Sequence, residues 1–172
     1  MNEWSRDLTT RAGLAVHIRP AQPDDEAALG AFFEGLTPED MRFRFLTALK
    51  TVGHDRLAQM THVDHRQTEN FLAFEKGGTD IIATAMLACT DDMAKGEVAI
   101  AILPDFKRKG LSWELMEHVA HFAEAKGVRT LESIESRDHH AAIELEREMG
   151  FTATSYPGDA TLMLVQRTLT PA

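Results

Sequence analysis

A chain of 172 residues with 44% hydrophobic side chains has the size and apolar content of one domain with its own core. Its 18 Lys and Arg stand against 27 Asp and Glu, and the formal charge of -9 excludes a general electrostatic attraction to nucleic acid or anionic lipid while favouring cationic substrates. Cys89 is the only cysteine, which excludes an internal disulfide and a cysteine-based zinc cluster and fits a reducing cytoplasm.

The N-terminus MNEWSRDLTTRAGL carries charges where a signal peptide needs an apolar run. No stretch approaches the roughly 18 apolar residues of a membrane span, so a cytoplasmic protein without a membrane partner is expected. Residues 1–13 read as a lead-in and 14–172 as one domain. Leu14 to Arg19 alternates as a short strand that stops at Pro20, after which Asp24 or Asp25 caps a helix through about Glu34. Thr37-Pro38-Glu39-Asp40 has the form of a cap, a first-turn proline and a returning carboxylate, opening a second helix with Met41, Phe43, Phe45 and Leu46. A short third helix covers His54 to Met60.

From Thr68 the period changes. Asn70 to Glu75 and Asp80 to Cys89 read as strands joined at Gly77-Gly78, and Gly96 to Leu103 is a third strand. Gly110 to Lys126 is helical, with Leu111, Leu115, Val119 and Phe122 on one stripe and Gly127 placed to end it. Val128 to Glu135 reads as a strand, Asp138 to Met149 as a helix closed by Gly150, and Thr161 to Leu169 as a final strand. This order of a strand, helices, three consecutive strands, helix, strand, helix and strand predicts an α/β fold of the α+β type rather than a regularly alternating parallel sheet.

The most informative segment is Gly96 to Met116, GEVAIAILPDFKRKGLSWELM, where an apolar strand passes through a proline turn into a basic glycine loop that opens a helix. First-turn N–H groups lack partners inside a helix and the helix dipole adds positive character, so a diphosphate satisfies both. Lys107, Arg108 and Lys109 add local charge, Gly110 admits close backbone approach, and Ser112 offers an amide and a small side chain. Read alone, the segment fits a solvated surface turn before a helix equally well. A Walker A loop is excluded, because the first glycine and the residue order it needs are missing.

Lys107-Arg108-Lys109-Gly110-Leu111-Ser112 resembles the acyl-coenzyme A pyrophosphate loop of the GNAT family of N-acetyltransferases: Gln or Arg, two variable residues, Gly, one variable residue, then Gly or Ala. Lys107 and Ser112 depart from that pattern. HIRPAQPDDEAAL resembles the family's first strand and helix, and AAIELEREMGF its penultimate helix. The run from LTPEDMRFRFL through GEVAIAIL and the basic loop is similar to the acetyltransferase domain of bacterial protein lysine acetyltransferases. The resemblance implies a GNAT-like mixed, mostly antiparallel central sheet flanked by helices. It implies transfer of an acetyl group from acetyl-CoA, as acyl donor and without a metal, to an amine acceptor, a protein lysine first among them.

By the same resemblance, Glu97 is the catalytic base that takes a proton from the acceptor, directly or through water, and it works best where partial burial raises its pKa; read alone, it fits a solvent-facing carboxylate at a strand start after Lys95-Gly96 equally well. Ile102 and Leu103 end the strand whose backbone meets the acyl and pantetheine groups, and His139 stands where family members hold the pantetheine arm with Asn. His139 and His140 also read simply as the start of a surface helix capped by Asp138. Many members place a Tyr acid four positions before the helix-ending Gly. That position here is Glu146, and the only tyrosine, Tyr156, lies beyond the helix. An acyl-CoA-binding regulatory or interaction module with little turnover is the alternative that these departures leave open. Family members pair through the last strands or surface helices, and nothing in Thr161 to Leu169 distinguishes an exposed edge from a paired one, so a homodimer is left open. His118 with His121, and His62 with Asp64 and His65, lack a full set of metal ligands, and Trp113 and Met116 read as core.

Overall fold

The computed structural model describes residues 3–47 and 49–170. Among them the chain forms β1 (Arg6–Thr9), β2 (Ala15–Pro20), α1 (Glu26–Glu34), α2 (Pro38–Phe45), α3 (His54–Thr61), β3 (Thr68–Glu75) and β4 (Ile81–Cys89). There follow β5 (Lys95–Ile102), α4 (Leu111–Ala125), β6 (Thr130–Ser136), α5 (His140–Glu148), β7 (Thr152–Ser155) and β8 (Leu162–Thr168). The strands make one sheet in the order β1-β2-β3-β4-β5-β6-β8-β7, and every pairing is antiparallel except β5 with β6.

Strand alternation supplies two cores. On β3, Phe71 and Ala73 join the cluster under α4, while Leu72 and Phe74 face the opposite cluster under α1, α2 and α3. The α4 stripe of Leu111, Leu115, Val119 and Phe122 is buried, and each such side chain contributes about 1.5–3 kcal/mol. On the other face Leu29, Phe32 and Phe33 of α1 pack with Leu57 and Met60 of α3. The result is helix, sheet, helix, the layering that a mixed sheet with two apolar faces requires. No helix among the described residues is long and apolar enough to cross a membrane.

The feature that positions the site is a failure of pairing. β5 and β6 are joined only through Lys95–Glu97 and Thr130–Glu132, although β5 stays paired with β4 to Ile102 and β6 with β8 to Ser136. The two strands therefore splay from Val98 and Ser133 onward.

Two strands lie outside the sequence expectation. Arg6–Thr9, inside the presumed lead-in, pairs with β2, and Thr152–Ser155 pairs with β8. Both are four residues long and largely exposed, so neither carries an apolar alternation to read. Two caps also differ. α5 is capped by His139 rather than Asp138. Thr37 does accept from the Asp40 amide at 3.1 Å, but the Asp40 carboxylate turns to Lys107 instead of returning to the cap.

Candidate active site

After β5 the chain makes a 3-10 turn at Pro104–Phe106 and enters the basic loop. Lys107 is extended, whereas Arg108 (φ 61°) and Gly110 (φ 82°), the N-cap of α4, are left-handed. A Cβ on Gly110 would find ordinary contacts, the nearest being Thr10 Cβ at 3.5 Å, so the backbone conformation rather than space is what calls for glycine. Left-handed residues beside a helix start turn successive N–H groups inward, and with the unpaired first-turn amides they make an anion-binding concavity.

That loop borders a cavity of about 530 Å³ that fills the splay between β5 and β6. Ile100 and Ile102 of β5, Ser112 of α4, Ser133 of β6 and Ala141 and Leu145 of α5 lie on its wall. A second cavity, about 250 Å³, lies at the C-terminal end of α2 and is lined by Arg44, Arg56 and Glu97 among others. Phe43, Glu135 and His139 line both, and the Phe43 and His139 rings stack with centroids 4.1 Å apart and planes 9° from parallel. The stacked pair, with Val98 and Ile100, thus lies where the larger cavity, which borders the basic loop, meets the smaller one, which Glu97 lines.

Glu97 is on the strand edge at the last β5–β6 pair, opposite Glu132. Loss of hydration raises its pKa, the Glu132 carboxylate adds to the rise, and the Arg44 charge opposes it. Its side chain nonetheless reaches solvent, so an acceptor has access to it. His139 Nδ1 lies 3.2 Å from Glu135 Oε2, and Glu135 Oε1 accepts from the Ser133 hydroxyl. Glu146, from α5, completes this group: it is 3% exposed, with Oε1 buried and unpartnered. Burial first, and the Glu135 charge second, push its carboxyl up to about 9, so the Glu146 and Glu135 pair holds a proton at neutral pH.

Of the residues expected at the cofactor, Ile102, Lys107, Arg108, Gly110, Leu111, Ser112 and His139 line the larger cavity. Lys109 and Leu103 do not. Lys109 is exposed, and Leu103 packs toward Gly35 on the second core, with its N–H held by Ile82 O at 2.9 Å. Lys107 lines the cavity but is already paired, its Nζ 2.5 Å from the buried Asp40 Oδ2, which takes part in no other polar contact. Leu111 contributes backbone only, since its side chain is core. Trp113 and Met116, read from sequence as core, also reach the cavity wall. Phe43, Arg44, Glu135 and Glu146 were missed as site residues; the contacts that reveal them cross from α2 to β6 and α5, beyond any local spacing.

The histidine groups resolve into structural roles. His118 is buried and its Nε2 donates to Trp4 O at 2.9 Å, and Asp64 accepts from the Arg66 and Thr68 amides as a loop cap. Among the described residues no group of three or more His, Cys, Asp or Glu is placed to hold a metal ion.

Comparison with known proteins agrees with this geometry. Residues 33–151 match the family model described as Acetyltransferase (GNAT) family. The chain is 29% identical over 165 residues to Acetyltransferase PA5475 of Pseudomonas aeruginosa, covering 95% of this chain and 88% of that one. The GNAT domain of Streptomyces lividans PAT superposes with a TM-score of 0.91 at 22% identity, over 98% of this chain and 99% of that domain. A putative acetyltransferase, yncA from Salmonella typhimurium, solved with its cofactor acetyl-CoA, gives 0.72 at 21% identity, covering 90% and 94% of the two chains. A matched family model across most of the chain, together with the splayed strands and the loop at the N-terminus of α4, identifies the protein as an acetyltransferase of the GNAT family.

Proposed function

We propose that the protein moves the acetyl group of acetyl-CoA to a primary amine, a protein lysine first among the acceptors, with Glu97 as base. The observation that carries this reading is the meeting of two cavities at the β5–β6 splay: the larger starts at an anion-binding loop and the smaller ends at a carboxylate of raised pKa. The pyrophosphate of the donor lies on the Arg108 to Ser112 amides. The pantetheine arm runs up the splay, where the β6-facing backbone groups of β5 have no ladder partner.

Chemically, Glu97 takes a proton from the acceptor ammonium, directly or through a water, and the freed amine attacks the thioester carbonyl. The C–N bond forms, β5 N–H groups face the developing oxyanion, and as the carbonyl re-forms the C–S bond breaks, the second nitrogen proton passing through water to the departing thiolate to give the amide and the coenzyme A thiol. The likeness to the GNAT domain of PAT and the LTPEDMRFRFL segment support lysine as acceptor. A cytoplasmic site of action, where thiols stay reduced, goes with the same reading. Calorimetric titration of acetyl-CoA into the wild type and Gly110→Glu tests it. Binding to the wild type that the substitution abolishes is expected, followed by mass-spectrometric detection of acetylated lysine peptides; wild type that binds no acetyl-CoA overturns it.

A further inference from the structure

Arg44 is held in an unusual way. One terminal nitrogen, Nη2, points at the thioether sulfurs of Met60 and Met86, each 3.8 Å away, and these are weak acceptors. The guanidinium carbon stands 4.8 Å from the Phe45 ring centroid. Nε is closed off from solvent with no acceptor at all, and among the described residues no carboxylate comes within ion-pair distance of Arg44 or Arg56. Arg44 is half-buried with its head on a cavity wall, and a guanidinium donor shut off from water with no acceptor, as Nε is, is costly. Desolvation lowers its pKa to about 10, the Glu97 charge opposes that fall, and the nearby Arg56 charge adds to it.

Both guanidinium groups face one small space. Arg56 lies on the same Phe45 ring at 5.5 Å, and Arg44 and Arg56 line the smaller cavity together with Glu97. Glu135, the other carboxylate on that wall, accepts from the Ser133 hydroxyl and lies 3.2 Å from His139 Nδ1 without a hydrogen bond to it. A bare monoamine or polyamine docking at Glu97 would meet two like charges and leave the arginine donors unmet. An acceptor that brings a carboxylate meets both needs, with its amine at Glu97 and its carboxylate on the guanidinium fork.

We infer that the acceptor bears a carboxylate close to the reacting amine, and that Arg44, with Arg56 beside it, forms the subsite that binds it. This rests on the acetyl-transfer reading and narrows its acceptor. A carboxylate of this kind belongs either to a free amino acid or to an acidic residue neighbouring a lysine in a peptide.

The test measures coenzyme A release with acetyl-CoA and matched acceptors: free amino acids against their carboxamides, and lysine peptides with a flanking Glu against the same peptides with Gln. In the wild type the carboxylate member of at least one pair is favoured about tenfold or more in kcat/KM, mainly through KM, as a charge-assisted bidentate contact implies. The pair that responds identifies the source of the carboxylate. Arg44→Gln brings the ratio close to one, Arg44→Lys keeps part of it, and the exposed Arg56→Gln reduces it with no threat to folding. Calorimetry with acetyl-CoA confirms that each variant is folded and, in the wild type, tests the acetyl-transfer reading separately. Where no acceptor turns over, saturation-transfer NMR with the same pairs reads binding directly. Ratios near one in both pairs, binding that ignores the carboxylate, or a ratio that survives Arg44→Gln overturns the inference.

Discussion

Replacing Glu146 with Gln is expected to stabilise the protein, although the residue is buried in the cavity wall. In the fold the carboxyl is pushed up to about 9 from an ordinary 4.5, chiefly by burial. Between those values the folded state must hold a proton that the unfolded chain has released. The raised group therefore contributes stability that is fully present below 4.5 and is lost as pH rises toward 9. At pH 7 the loss against a permanently neutral side chain is about 3 kcal/mol, and about half that if Glu135 takes part of the charge. Gln keeps the shape and one donor for the neighbouring Glu135 carboxylate. For a chain of this length the gain corresponds to a rise of about 3–12 °C in Tm at pH 7. Thermal unfolding of both proteins from pH 5 to pH 9 reads it: the gap should be under about 1 kcal/mol at pH 5 and widen steadily. A gap independent of pH, or a variant less stable than wild type at pH 7, refutes the reasoning.

Glu97→Gln should lower kcat by about 10²–10⁴-fold with acetyl-CoA affinity unchanged by calorimetry. In the wild type, activity should rise with pH through the raised carboxylate pKa, because the ionised form is the base, and that acidic limb should vanish in the variant. Asp40→Asn should tighten acetyl-CoA binding about three- to tenfold, since it frees Lys107 and removes a negative charge from the cavity wall. Its helix loses a first-turn carboxylate, so Tm should fall by a few degrees alongside the gain in affinity.

The parts of the fold legible in sequence are those written locally. Leu111, Leu115, Val119 and Phe122 repeat at helical spacing, and α4 is where they say it is. Gly110 marks the loop because it is left-handed at the N-cap of α4, while the equally left-handed Arg108 carries no such sign in its residue type. β1 and β7 stayed hidden because their residues face solvent, and only pairing with β2 and β8 makes them strands. The same distinction divides the site. Gly110 and Ser112 belong to one short motif, whereas the Lys107 to Asp40 pair and the Phe43 to His139 stack join residues far apart in the chain. In the sequence Glu146 stands out only by its place at a family position. That it and Glu135 together hold a proton follows from burial and from the Glu135 charge, and both are properties of the assembled splay.

The Phe43 to His139 stack leads to a last prediction. Phe43 lines both cavities, stacks on His139 and also lies 4.8 Å from the Arg42 guanidinium carbon. Its ring is part of the wall that the two cavities share with Val98 and Ile100, and in the proposed reaction the acetyl methyl stops against it. Phe43→Ala opens that wall into the smaller cavity. Losing one aromatic stack from a half-buried position lowers stability by only about 0.5–1.5 kcal/mol, so the fold survives. The acyl chain then has room, and one methylene of fit is worth about 1–3 kcal/mol of discrimination. The butyryl-to-acetyl ratio of kcat/KM should accordingly rise at least tenfold, measured by thiol release with a single amine acceptor. Water gains the same access, so thiol release without acceptor should also increase. A variant that loses stability yet keeps the wild-type chain-length profile and hydrolysis rate would show that the stack is packing alone, with the limit on the acyl group set elsewhere along β5.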